Sequence, residues 1–148
     1  MSRKLQIITH SEEETRALAQ RLGPHFQDPD VVVLTGALGC GKTVFVRGLA
    51  ATLGIDQQLV NSPSFTVVNE YPGKKPLFHL DLYRVDNPSH LNEIGWDDYL
   101  SRAGLLVVEW GEKAAGFLPR RYYQVQFRIL DEKLLSIGDI MNLLIISE

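Results

Sequence analysis

The sequence predicts an α/β domain in which helices cover both faces of a mixed, mainly parallel central sheet. Three observations carry that expectation. Asp30-Val31-Val32-Val33-Leu34-Thr35 is a continuous β-branched run, the pattern of a strand buried on both faces of a parallel sheet. A glycine-rich turn follows it directly, and beyond the turn Phe45, Val46, Leu49, Ala50 and Leu53 recur at helical spacing. Further on, two strand-like runs flank Pro72-Gly73-Lys74-Lys75-Pro76, the signature of a hairpin with a five-residue loop, which adds an antiparallel pair and makes the sheet mixed. At 148 residues, with no internal repeat, low-complexity stretch or linker, the chain reads as a single domain over 1–148.

Taken in order, Leu5-Gln6-Ile7-Ile8-Thr9 reads as a short strand. Ser11 followed by Glu12-Glu13-Glu14 is a capping-box start with acids in the first turn, opening a helix through Leu22 that Gly23-Pro24 ends. The Asp30 to Thr35 run is the expected central strand. The helix from Lys42 stops at Gly54. Thr66 to Tyr71 and Leu77 to Tyr83 form the hairpin strands; in the second, Phe78, Leu80 and Leu82 alternate with His79, Asp81 and Tyr83, so period two separates an apolar face from a polar one. Asn87-Pro88-Ser89 opens a helical segment through Leu91 and Ile94, broken near Gly95 before Trp96 to Leu100. Leu105 to Val108 is a second buried run, ending in Glu109-Trp110. After Pro119, alternation of Val125, Phe127 and Ile129 with polar neighbours predicts a half-exposed strand turning at Asp131-Glu132-Lys133. The last residues are apolar but poorly periodic.

Composition narrows the function classes. A hydrophobic fraction of 45% with 22% charged residues is that of an ordinary globular chain, and no apolar run reaches bilayer-spanning length, so no membrane association and a cytoplasmic location are expected. The single cysteine, Cys40, can form no internal disulfide, which agrees with a reducing compartment. A net charge of −3 argues against a free-standing nucleic-acid binder, because phosphate-backbone affinity needs a concentrated basic surface. The basic pairs Lys74-Lys75 and Arg120-Arg121 read as solvated loop charges, and any RNA would be bound mainly through partner proteins.

The turn after the central strand, Gly36-Ala37-Leu38-Gly39-Cys40-Gly41-Lys42-Thr43, matches G-x-x-x-x-G-K-S/T, the P-loop, in the strand-to-helix setting the motif requires. Its glycines let backbone N–H groups turn inward around phosphate oxygens and the following helix presents its positive N-terminus. Lys42 can then reach the β and γ phosphates while Thr43 offers a hydroxyl to Mg²⁺. The fold expectation sharpens accordingly to a P-loop NTPase-like, three-layer arrangement. A phosphate cradle alone hydrolyses nothing; turnover also needs an acid for the metal and a group that orients water. Glu109, closing an apolar strand, stands where ligands bind in open α/β sheets, although a solvated strand-end acid would look the same. Asp81 is the second candidate, since an aspartate in a core-like strand is costly unless bound or paired; a structural pair with Arg84 or His79 is the competing reading. His79 itself reads as a hydrogen-bonded structural histidine. Asn61 to Thr66 reads equally as a nucleotide-sensing switch loop or as an ordinary turn into a strand. No N-K-x-D guanine-reading motif is present, which favours ATP.

The P-loop G-A-L-G-C-G-K-T, then S-P-S-F-T-V-V-N-E-Y, F-H-L-D-L-Y-R, V-E-W-G-E-K and L-P, in that order and spacing, resemble the TsaE (YjeE) family, the P-loop ATPases of bacterial tRNA threonylcarbamoyladenosine biosynthesis. The resemblance runs from the Ser11 helix to Pro119, and the H-x-D-L-Y-R and V-E-W elements are far more specific than the P-loop. It implies that Gly36, Leu38, Gly39, Cys40, Gly41, Lys42 and Thr43 bind the phosphates of ATP and that Thr43 and Glu109 ligate Mg²⁺. Asp81 would support the metal or the attacking water, Trp110 would form a wall beside the site, Ser62 to Thr66 would be the switch-like loop, and the turn Thr9-His10-Ser11 would lie near the adenine. The implied role is an accessory ATPase, slow alone and dependent on partners. Hydrolysis would reset the TsaB-TsaD assembly that transfers the threonylcarbamoyl group to adenosine 37 of tRNA. Three positions depart from the family pattern: Ala37 where aspartate is usual, Cys40 where alanine is usual and Gly111 where proline is frequent. A nucleotide-dependent binding module with negligible hydrolysis, or a small-molecule kinase, would share the P-loop; the chain has little room for a kinase's acceptor pocket and lid.

Overall fold

The computed structural model describes residues 4–26, 30–36, 41–61, 68–129 and 142–147. Seven strands, β1 (Lys4–Thr9), β2 (Asp30–Thr35), β3 (Val68–Tyr71), β4 (Leu77–Asp81), β5 (Leu105–Glu109), β6 (Tyr123–Ile129) and β7 (Asn142–Ser147), form one sheet in the order β1-β7-β6-β2-β5-β4-β3. The four central strands β6, β2, β5 and β4 are parallel, and antiparallel pairings with β3, β7 and β1 complete the two flanks. β1 runs antiparallel to β7 and β7 to β6, so β1 points the same way as β2. The turn after β1 therefore lies at the same end of the sheet as the glycine-rich loop.

Helices α1 (Glu12–Leu22) and α2 (Lys42–Thr52) cover one face, and α3 (Trp96–Ser101) with short 3-10 turns covers the other. Period two divides β2 between them. Val32 and Leu34 join Leu18, Ala19, Phe45, Leu49, Leu105 and Val107 in one core, while Val31 and Val33 join Phe78, Leu80, Leu91, Trp96 and Val108 in the other. Burial on both faces is the physical reason the run lacks polar alternation. Ser11 caps α1 by accepting from the Glu14 N–H at 3.1 Å, and Glu14 reaches back to the His10 N–H at 2.6 Å, one residue before the position a capping box would use. Buried Thr9 and Thr15, hydroxyl to hydroxyl at 2.7 Å, tie β1 to α1. At the β3 edge, Glu70 accepts from the Tyr99 hydroxyl at 2.7 Å and from Arg102 at 3.0 Å, anchoring α3.

The hairpin, the central strand, the Ser11 cap and the break at Gly95 agree with the sequence expectations. The segment opened by Asn87 differs in being a short 3-10 turn over Pro88–Leu91 rather than one continuous helix. Lys75 is also less solvated than expected: its ammonium donates to the Phe26 carbonyl at 2.9 Å, closing the chain after α1 onto the hairpin loop. The polar face expected of β4 is covered too, with His79 wholly buried, because α2 packs over that side of the sheet. The turn at Asp131-Glu132-Lys133 lies outside the described residues, whereas the weakly periodic tail supplies β7, inserted between β1 and β6.

Gly48 marks the closest approach of α1 and α2. A Cβ there would stand 2.5 Å from the Arg16 carbonyl oxygen and 2.6 Å from the Ala19 Cβ. Because the obstacle is helix backbone, the helices must separate, and overpacking of this kind costs about 1–3 kcal/mol, against roughly 1 kcal/mol of helix propensity gained. Gly48→Ala should therefore lower the urea midpoint of unfolding with an unchanged m-value; a midpoint at or above wild type would show that the two helices have slack.

Candidate nucleotide site

The candidate site forms at the carboxyl ends of β2, β5 and β4, where the parallel strands release their chains toward one edge. Gly36 leaves β2 with φ 145° and Gly41 enters α2 with φ 101°, both backbone states that a side chain would strain. Between them, Ala37, Leu38, Gly39 and Cys40 lie outside the described residues, as does the Ser62 to Thr66 loop. Lys42 and Thr43 open α2, so their backbone belongs to the helix's first turn, the end carrying partial positive charge.

Lys42 is 5% exposed. Its ammonium donates to the Gly36 carbonyl at 2.6 Å and lies 4.1 Å from the centre of the Trp110 ring. No carboxylate among the described residues is within salt-bridge distance of it. Among the described residues this buried cation is held by one carbonyl and one π face with no carboxylate in direct contact, an arrangement that suits an anionic ligand.

Glu109 and Asp81 are the last residues of β5 and β4 and face each other across the parallel ladder, with Leu34 of β2 on the other side of Glu109. Asp81 is thus a strand-end acid. Its Oδ1 accepts from the Tyr83 N–H at 3.0 Å, a local turn in place of the Arg84 or His79 pair considered from the sequence. Burial pushes its carboxyl up from the usual aspartate value and the like charge of Glu109 adds to the rise, while the Tyr83 N–H, His79 and Lys42 oppose it. Glu109 is 3% exposed, and its Oε2 lies 2.6 Å from Nε2 of His79. Sequence reasoning left His79 out of the site, although the alternation along β4 already put it on the face of Asp81. The pairing of β4 with β5 was the missing information.

Trp110 is the one non-glycine residue with positive φ among those described, at φ 60°. Its N–H donates to the Leu34 carbonyl at 3.1 Å, locking the end of β5 to β2, and its ring meets that of Tyr83 at 5.1 Å. Holding a bulky residue in this conformation costs on the order of 1–3 kcal/mol, and the result is an aromatic lid on the Lys42 ammonium. Gly111 follows without slack: a Cβ there would meet Cγ1 of Val33 at 2.0 Å, so its small size is what lets the chain after Trp110 lie against β2. Ser11 sits at the same end of the sheet, with its hydroxyl engaged in capping α1.

Among the described residues no three His, Cys, Asp or Glu side chains cluster as a self-sufficient metal site. Mg²⁺ does not need one: it is commonly held by one or two carboxylates together with phosphate oxygens and water, and Thr43, Glu109 and Asp81 offer that kind of oxygen set.

Comparison with known proteins agrees with this arrangement. The family model for "Threonylcarbamoyl adenosine biosynthesis protein TsaE" matches residues 9–135. The tRNA threonylcarbamoyladenosine biosynthesis protein TsaE of Treponema pallidum is 36% identical over 126 residues, covering 85% of this chain and 93% of that protein. Its namesake in Bacillus subtilis is 39% identical over 124 residues, 83% of this chain and 77% of that protein. The crystal structure of Bacillus subtilis YdiB superimposes with a TM-score of 0.78 at 30% identity, covering 99% of this chain and 86% of that one. With the family model spanning most of the chain and relatives above 30% identity over more than two thirds of their length, the chain belongs to the TsaE family.

Proposed function

We propose that the protein is a Mg²⁺-dependent ATPase that serves tRNA threonylcarbamoyladenosine modification at adenosine 37, acting in the cytoplasm with the TsaB and TsaD proteins and meeting tRNA through that complex. The observation that carries the reading is the buried Lys42 ammonium, with no carboxylate within salt-bridge distance among the described residues, at the sheet end where the acids Asp81 and Glu109 close their strands. The names of the relatives supply the pathway.

On this reading Lys42 exchanges the Gly36 carbonyl for phosphate oxygens and neutralises their charge, and the N-terminus of α2 adds its dipole. Thr43 and Glu109 would hold Mg²⁺, which would supply positive charge against the charge developing on the phosphate oxygens. Asp81 supports the metal or accepts a hydrogen bond from the attacking water, a role suited to an acid at the strand end rather than in mid-strand. Trp110 shields the Lys42 side of the site from bulk water. The turn at Ser11 lies at the same sheet end and is the proposed neighbour of the adenine. Gly36, Leu38, Gly39, Cys40 and Gly41 complete the phosphate loop. Arg102 is held by Glu70 and Arg47 donates to the Val60 carbonyl, so neither is free to act on a phosphate, in line with slow turnover by the isolated chain.

Steady-state hydrolysis of ATP and GTP, by the chain alone and then with TsaB, TsaD and unmodified tRNA, tests the proposal. ATP-selective turnover that rises with the partners and disappears in Glu109→Ala is expected. Tight Mg-ATP binding with no hydrolysis under any of these conditions would instead make the protein a nucleotide-dependent binding module.

A further inference from the structure

We propose that His79 is a positioning residue for Glu109: its buried imidazole holds one oxygen of that carboxylate and leaves the other oxygen for the metal. The inference rests on the ATPase reading above.

His79 is wholly buried on the sheet face where Leu77, Leu105 and Val107 join the core under α1 and α2. Its ladder partner on β5 is Val107, so the ring leans toward the carboxyl end of the sheet to reach Glu109 at 2.6 Å. An ionised carboxylate only accepts, so the imidazole contributes Nε2–H. The other ring nitrogen, Nδ1, is buried and has no hydrogen-bond partner. A pair that served packing alone would be poorly chosen, because apolar side chains of similar volume fill such a layer without desolvating two polar groups or orphaning a third.

Position explains the expense. Glu109, Asp81 and Lys42 lie at one end of the sheet, close enough for Glu109 and Lys42 both to act electrostatically on Asp81, yet neither acid reaches the ammonium. A glutamate side chain free to change rotamer would offer the metal no fixed oxygen at that end of the sheet. The hydrogen bond at Oε2 removes that freedom. Histidine ligands and their carboxylate partners are commonly oriented in this manner, and loss of such an outer partner costs about 10–100-fold in metal affinity or activity.

The test compares wild type, His79→Leu and His79→Gln, the amide of glutamine being able to supply an N–H near the place of Nε2. ATP binding is measured calorimetrically against Mg²⁺ concentration, and turnover is measured per folded molecule. His79→Leu should raise the Mg²⁺ requirement by about 10–100-fold, and His79→Gln should recover most of the loss. In ligand-free protein labelled with ¹⁵N-histidine, one imidazole N–H should be protected from exchange in wild type, vanish in His79→Gln, and exchange freely in Glu109→Ala. The other three histidines, His10, His25 and His90, are exposed, so that signal is assignable. A wild-type Mg²⁺ requirement in both variants, with only thermal stability altered, overturns the positioning role. Wild-type protein that binds ATP with no response to Mg²⁺ overturns the ATPase reading itself, and the positioning role with it.

Discussion

Lys42→Ala should weaken ATP binding by about 10–100-fold and reduce turnover below detection, because one charge-assisted hydrogen-bonding group to phosphate contributes roughly 1.5–3 kcal/mol and each 1.4 kcal/mol is tenfold. The loss should not come from unfolding. The Lys42 ammonium is buried against the Gly36 carbonyl and the Trp110 ring, with no carboxylate within salt-bridge distance among the described residues, so removing it relieves a desolvation cost that offsets the packing lost with its aliphatic stem. A melting temperature at or above that of wild type, together with lost nucleotide affinity, is the expected pair of results. Calorimetric titration with Mg-ATP and thermal unfolding of the same sample measure both. Unchanged affinity and turnover would remove Lys42, and with it the P-loop assignment, from the site.

Asp81→Asn should separate function from stability in the opposite direction from an ordinary acid deletion. Burial and the neighbouring Glu109 raise the Asp81 carboxyl, so the folded protein holds that proton more tightly than the unfolded chain does. Below the ordinary aspartate value both states are protonated and the group costs nothing. As pH rises toward the raised folded value, the unfolded chain gives up its proton first, and stability falls until both states are ionised; above that the cost is constant. Asparagine keeps an oxygen for the Tyr83 N–H and cannot ionise. The variant should therefore be more stable than wild type at pH 7, with the advantage shrinking as pH falls through the carboxylate range, while turnover drops by about 10–100-fold from loss of an acid that supports the metal or water. Urea midpoints at several pH values, with hydrolysis rates at pH 7, check the pair. An Asn variant less stable than wild type at pH 7, or one with wild-type turnover, would place Asp81 in a purely structural role.

What the sequence determined by itself was local. β-branched runs buried on both faces, the glycine turn and the helical repeat after Lys42 declare their secondary structure through steric and periodic constraints that act over a few residues, and they name the P-loop, Glu109 and Asp81 as candidates. Motif order further carried the family resemblance, in which H-x-D-L-Y-R and V-E-W weighed most. Tertiary structure decided the rest because it depends on strand order, which pairs residues far apart in the chain. Only the placement of β4 beside β5 brings His79 to Glu109 and sets Asp81 opposite it. Only the folding of Trp110 into a left-handed conformation, against Leu34 and over Lys42, makes an ordinary-looking aromatic a cover for the cation. The weakly periodic tail likewise shows no strand pattern of its own; neighbours on both sides, β1 and β6, supply the backbone hydrogen bonds that make it β7. Hydrogen bonding across a sheet satisfies backbone groups whatever the side-chain pattern, so a strand completed by its neighbours need not announce itself in sequence.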